Sequence, residues 1–294
     1  MYRGLYVASS GAAAATAPAR AYATKSSEMM DVEFAQLSDL GRVRQGNEDY
    51  LGYVAADTPE KARSHGWLFV LADGVGGHDL GEVASHTAAD CVLEGFRKSV
   101  PGEPHPALLT SLVRLANTRV LEAGHAATPG GSRMATTIVA CALRHDRAAV
   151  AHVGDSRCYL IRRGQATLLT RDHTLASEHV RLGLISSAEA GSAETRHLLS
   201  RSLGSALSVS VDVSEHQVAV GDVLLLCSDG LHGSVEGSEM AALAGNGGDL
   251  SKAAQRLVDI ANQRDGSDNI SLHIIRVRGI ERVGMYRGRP YRLP

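Results

Sequence analysis

The chain has 294 residues, 44% of them hydrophobic and 21% charged, with a formal net charge of −2. That is the composition of a globular protein with one large domain or two small ones. The near balance of charge argues against a dedicated nucleic-acid binder, and no apolar run reaches the ~18 residues of a membrane span. The four cysteines, Cys91, Cys141, Cys158 and Cys227, lie far apart in apolar segments. They read as small core residues rather than a disulfide framework or zinc site, so a reducing, cytoplasmic setting is expected.

Residues 1–30 are small, Ala-rich and free of acids before Glu28. They read as a disordered N-terminal extension ahead of a folded domain over 31–278. The alternation of VEFAQLSDLG predicts a strand. A charged, tight segment follows, with Arg44, Glu48 and Asp49, before a second strand at Tyr50 to Ala55. Such charges are ordinary for a solvated loop, and equally suit a phosphate-binding Arg beside metal-binding carboxylates.

Leu68 to Leu71 form an apolar run of strand length, with Asp73 at its exit and Gly74, Gly76 and Gly77 following. Alone, Asp73-Gly74 is a common turn dipeptide. Asp79 and Glu82 have the spacing of a helix start. One helical face carries Ala84, Ala88, Cys91, Val92, Gly95 and Phe96. A second carries Leu108, Leu112, Leu115, Ala116 and Val120, with Pro101, Pro104 and Pro106 marking the break between them.

A Gly-led loop at Gly130 feeds a strand ending near Leu143, and His145-Asp146 turns the chain into a strand from Ala148 to Val153. Gly154 and Asp155 close it, and a hairpin then turns at Arg163-Gly164. Residues 171–205 are polar, broken and weakly helical, which suits a functional flap. The stretch GDVLLLCSDGL (Gly221 to Leu231) reads as a buried strand ending at Asp229, again followed by a glycine, Gly230. A helix follows with Asp249 as N-cap and Leu250, Ala253, Ala254, Leu257, Val258 and Ala261 on one face. Asp268 begins the last strand, and 279–294 read as a basic C-terminal tail or docking segment.

Four acids therefore sit at strand ends, Asp73, Asp155, Asp229 and Asp268, with Glu48 and Asp49 just before another strand. Strands ending on one sheet edge bring such residues together. An all-oxygen cluster suits Mg²⁺ or Mn²⁺. Two ions ~4 Å apart can share a hydroxide that attacks phosphorus in line. Arg44 has the chemistry to grip phosphate oxygens. The pattern Cys-x5-Arg occurs at Cys91 to Arg97 and Cys141 to Arg147, but without a glycine-rich phosphate loop. There is no Walker-type loop, HExxH or GxSxG.

Five motifs, RxxNED (Arg44 to Asp49), ADGVGGH (Ala72 to His78), VGDSR (Val153 to Arg157), CSDGL (Cys227 to Leu231) and DNIS (Asp268 to Ser271), resemble the metal-dependent protein phosphatase family (PPM, type 2C), most of all its compact bacterial branch. The resemblance spans about Asp31 to Val277. It implies an α+β fold: a four-layer α-β-β-α sandwich of two mixed, mainly antiparallel sheets flanked by helix pairs. It implies that Asp49, Asp73, Asp229 and Asp268 hold two Mn²⁺ or Mg²⁺ ions, with Asp73 bridging, the Gly74 carbonyl contributing and Glu48 in the same shell. Asp155 would help hold a third, weaker ion, Arg44 would bind the phosphate, and 171–205 would shape substrate choice.

The expected activity is metal-dependent hydrolysis of phosphoserine and phosphothreonine on proteins by a monomer opposing a Ser/Thr kinase. The alternatives are a catalytically silent phosphoprotein-binding regulator of the same fold, and a phosphatase of small phosphoesters. Two departures stand out. Ala135-Thr136-Thr137 replaces the family's usual Gly-Thr-Thr, and Val75 stands where some members carry a histidine proposed as general acid.

Overall fold

The structure is a computed structural model that describes residues 5–8, 29–75, 79–127, 134–192, 194–281, 283–286 and 289–292. One sheet has the order β1 (Leu5–Ala8), β2 (Asp31–Asp39), β12 (Ile270–Gly279), β11 (Val223–Cys227), β8 (Arg157–Arg162) and β9 (Gln165–Leu168). The other runs β10 (Asp212–Gln217), β7 (Arg147–Val153), β6 (Ile138–Arg144), β4 (Trp67–Val75) and β3 (Asp49–Val54), with the short β5 (Ala135–Thr136) also pairing with β4. Within the two sheets every pairing is antiparallel except β1 with β2.

The central strands β4, β6 and β11 read as continuous apolar runs because both of their faces are buried. Along β4, Leu68, Val70 and Ala72 face α2 (Asp79–Arg97) and α3 (His105–Ala127), whereas Trp67, Phe69 and Leu71 face the opposite sheet. Along β11, Val223, Leu225 and Cys227 face α7 (Gly237–Ala244) and α8 (Leu250–Arg264), and Leu224 and Leu226 face inward. The result is the expected four-layer order of helices, sheet, sheet, helices.

Local signals hold where they were specific. Asp249 caps α8 by accepting from Ser251 and Lys252 N–H. Arg163 and Gly164 both take positive φ in the β8–β9 turn. All four cysteines are free, and Cys141, Cys158 and Cys227 are buried in strands. Neither Cys-x5-Arg match forms a phosphate loop: Cys91 to Arg97 lies within α2, and Cys141 and Arg147 sit in adjacent strands.

Some details differ from expectation. Leu115 lies at the margin of the buried stripe of α3 and is 43% exposed. Leu5–Ala8, within the segment expected to be disordered, pair with β2, and 279–294 include a hairpin of β13 (Val283–Tyr286) and β14 (Arg289–Arg292). The first is a β-prone Leu-Tyr-Val run. Residues 9–28 lie outside the described residues. Among the described residues no helix is long and apolar enough to cross a membrane.

Candidate metal centre

Strand parity places the acids. Asp73 continues the inward series Trp67, Phe69, Leu71, and Asp49 begins the inward series of Leu51 and Tyr53 on β3. The two are cross-strand partners, Asp49 opposite Asp73. On the facing sheet the inward positions at this end are polar: Ser38 Oγ and Ser271 Oγ lie 2.8 Å apart, and Ser228 Oγ donates to Asp49 Oδ2 at 2.9 Å. The sandwich is thus apolar in its middle and oxygen-lined at one mouth. Asp229 opens the short α6 (Asp229–His232) at the exit of β11, and Asp268 sits two residues before β12.

The carboxylates crowd one another. Burial first, then the charges of Asp229 and Asp268, push Asp49 up to about 7, against the pull of hydrogen bonds from Ser271 and Ser228. Burial, then Asp49, Asp229, Asp155 and Asp268, hold Asp73 well above the usual carboxylate range. Burial and Asp268 raise Asp229, which shares a hydrogen bond with Asp73. Burial, Asp229 and Asp172 push Asp155 up to about 7. Buried acids that raise each other in this way are stabilised by a cation set among them. Asp49 Oδ1 is buried with no hydrogen-bond partner, and the donors are all oxygens. The residues present therefore fit a hard divalent cation.

Arg44 flanks the cluster, with Nη2 2.8 Å from Asp268 Oδ2 and its side chain 41% exposed. Glu48 lies under the start of α2: a Cβ on Gly81 would sit 2.6 Å from Glu48 Oε2. Gly74 is packed between backbones, donating its N–H to Glu48 O at 3.1 Å, and a Cβ there would lie 2.9 Å from that same oxygen. Arg44, Glu48, Asp49, Asp73, Gly74, Asp155, Asp229 and Asp268 are thereby gathered at one mouth of the sandwich. Val75 supplies no titratable group, and His78 lies outside the described residues.

Residues that hold these acids were not singled out in the sequence. Asn269 accepts Glu48 N–H at 2.9 Å and donates to Leu40 O and Gly46 O, so one amide orders the loop that carries Arg44 to Asp49. Asn47 accepts Asp49 N–H and donates to Ser38 Oγ. Thr137 accepts Asp73 N–H at 3.1 Å and lies 2.7 Å from Ser156 Oγ, joining the Asp73 and Asp155 strands. Thr136 Oγ1 donates to Asp73 O at 2.8 Å, so the Gly-to-Ala change at 135 leaves the two working hydroxyls in place. The available signals were that Asn47 and Asn269 adjoin acids within two of the motifs, and that Thr136 and Thr137 stand in the family's Gly-Thr-Thr position.

The sequence model of the family described as protein phosphatase 2C matches residues 45–270. The chain belongs to the protein phosphatase 2C family. As a member it is an enzyme, a metal-dependent phosphoric-monoester hydrolase of the Ser/Thr class. Among its relatives, serine/threonine phosphatase stp of Listeria innocua is 33% identical over 264 residues, covering 88% of this chain and 99% of the relative. A protein phosphatase 2C-type protein of Streptococcus pyogenes, named as putative, is 33% identical over 81% of this chain and 94% of its own. The solved S. agalactiae serine/threonine phosphatase superposes with a TM-score of 0.75 at 30% identity, covering 84% of this chain and all of that one. The catalytic domain of the phosphatase PstP, solved with two manganese ions, gives 0.71 at 31% identity, covering 85% and 99% of the two chains.

Proposed function

We propose that this phosphatase removes phosphate from phosphoserine and phosphothreonine in proteins, using Mn²⁺ or Mg²⁺ held by Asp49, Asp73, Asp229 and Asp268. The observation that carries the reading is the set of buried and half-buried, mutually raised carboxylates beside an exposed Arg44. Asp73 and Asp49 would face the ion pair from one sheet, with Asp229 and Asp268 facing it from the other. The Gly74 carbonyl and Glu48 would complete the oxygen set, and Asp155 would help hold a third, weaker ion. Bound there, the ions would supply Lewis acidity toward the phosphoryl group and make a water acidic enough to attack phosphorus near neutral pH.

The protein's own share is placement. Thr136 and Thr137 fix the Asp73 backbone, and Asn269 fixes the loop below Arg44. Arg44 would bind the substrate phosphate through paired N–H donors from the solvent side. The 171–205 segment, which carries α4 (Leu175–Arg181) and α5 (Ser187–Ser192), would select the protein around the phosphoresidue. The counterpart is a Ser/Thr kinase acting on the same proteins, and the chain acts as a monomer.

The test is release of phosphate from a phosphothreonine peptide in EDTA, Mg²⁺ or Mn²⁺, beside Asp229→Asn. Turnover that requires metal and is lost in the variant supports the reading. Metal-independent turnover, or none with the fold intact, refutes it. A much higher kcat/KM on small phosphoesters than on peptides would move the substrate class.

A further inference from the structure

Outside the acid mouth, the described residues bring His152, His173 and Asp212 together, one donor atom from each within 4.8 Å of the others. By spacing alone this is a candidate metal site. Its cation is already supplied by arginine. Arg201 Nη1 donates to Asp212 Oδ1 at 2.7 Å, and Arg171 Nη2 lies 3.6 Å from Asp212 Oδ2. His152 Nε2 is held by the Arg171 backbone, 2.8 Å from its carbonyl oxygen and 3.3 Å from its N–H nitrogen. The cluster is a hydrogen-bonded hub.

Its position gives it work. Gly154, at φ 106°, donates its N–H to His173 Nδ1 at 3.1 Å, and His173 N–H returns to Gly154 O at 3.0 Å. With Nδ1 accepting from the Gly154 N–H, the ring proton sits on Nε2, which lies 3.2 Å from Asp212 Oδ2 and 3.1 Å from Arg201 Nη1. Burial and the ring of His152, stacked at 4.7 Å, push His173 down to about 4 and keep the ring neutral. The ring is fully buried.

The same residue ties both ends of the 175–198 segment. Ser200 N–H donates to His173 O at 2.8 Å, and Leu175 N–H donates to Leu198 O at 2.8 Å. Beyond that exit, Leu203 and Thr136 exchange backbone hydrogen bonds at 2.9 and 3.2 Å, next to the hydroxyl that holds Asp73. The segment thus enters beside Asp155 and leaves beside Asp73.

We propose that His173 is a positioning residue that holds the Gly154-Asp155 turn for divalent-cation binding and couples that turn to the 175–198 segment. This rests on the reading of Asp155 as a ligand of the weaker ion. It acts as partners behind metal ligands do, whose loss lowers affinity by roughly 10- to 100-fold.

The experiment is calorimetric Mn²⁺ titration of the full chain as wild type, Asp155→Asn, His173→Ala and His173→Asn, with hydrogen exchange read at the Gly154 amide. Wild type should show a weak binding event that Asp155→Asn removes. His173→Ala should weaken that event at least 10-fold, spare the tighter events and expose the Gly154 amide. His173→Asn, which keeps an acceptor near the Nδ1 position, should restore most of the affinity and the protection. Equal weak-site affinity in wild type and His173→Ala would overturn the proposal, as would His173→Asn behaving like the alanine variant. Survival of the weak event in Asp155→Asn would show instead that the Asp155 reading has failed, and the proposal would fall with it. Should His173→Ala not fold, Asp212→Asn at a part-exposed position carries the test: a weakened event supports coupling through the hub, and an unchanged one overturns it.

Discussion

Asp49→Asn should stabilise the metal-free protein while abolishing its metal-dependent turnover. Asp49 is raised from 3.8 to about 7, by burial first and then by Asp229 and Asp268. Below pH ~4 the carboxyl is protonated in folded and unfolded chains alike and costs nothing. Between ~4 and 7 the unfolded chain has released the proton and the folded chain keeps it, so stability falls as pH rises. Above 7 the charge is forced into the folded state at its full cost. At ~1.4 kcal/mol per pH unit, the rise to about 7 corresponds to about 4 kcal/mol, or roughly 8 °C at roughly 2 °C per kcal/mol for a chain of this size.

Asparagine keeps the shape, still accepts from Ser228 and carries no charge to bury. The assay is thermal unfolding of both proteins in EDTA from pH 4 to 8. Taking the difference between them cancels the buried histidines His232 and His273, each pushed down to about 4 by burial first, whose own contribution runs the other way. The variant should match wild type near pH 4 and melt higher at pH 8. Saturating Mn²⁺ should reverse the order, because wild type alone gains ligand-binding free energy at this site. A variant that melts no higher than wild type at pH 8 in EDTA would refute the reasoning, since Asp49 would then not be a strained, cation-seeking acid.

Three further outcomes follow from the same geometry. Gly74→Ala drives a Cβ into the Gly81 carbonyl and to 2.9 Å from Glu48 O, so it should cost about 1–3 kcal/mol in chemical denaturation and lower kcat at least tenfold. Asn269→Ala removes the acceptor of Glu48 N–H and the donor to Leu40 and Gly46, and should raise the Mn²⁺ concentration needed for half-maximal activity by ~10-fold. Arg44→Ala should raise KM for a phosphothreonine peptide more than it weakens Mn²⁺ binding measured by calorimetry. The opposite ranking would make Arg44 a structural partner of Asp268 instead.

The sandwich and its acidic mouth were legible because the same local pattern recurs. Apolar runs of strand length stop at Asp73, Asp155 and Asp229, and period-2 parity then sets Asp49 and Asp73 on the inner face. β10 was missed because Asp212–Gln217 is a polar edge strand with a single apolar residue, and α1 (Pro59–Ser64) and α7 because each is too short to show a helical period. The supports of the site were illegible for a different reason. Asn269 meets Glu48 across 221 residues and Ser228 meets Asp49 across 179, so their roles exist only once the two sheets face each other. The hub of His173, Asp212 and Arg201 likewise joins residues whose sequence neighbours read as irregular and polar.

One mouth of the sandwich, among Asp49, Asp73, Asp229 and Asp268, is where the catalytic ions are expected. Crystals grown with Mn²⁺ and measured at the manganese absorption edge test it most directly. Two strong anomalous peaks among Asp49, Asp73, Asp229 and Asp268 are the predicted result. Anomalous density elsewhere, at the His152 and His173 hub for instance, with none among these four acids, would contradict it.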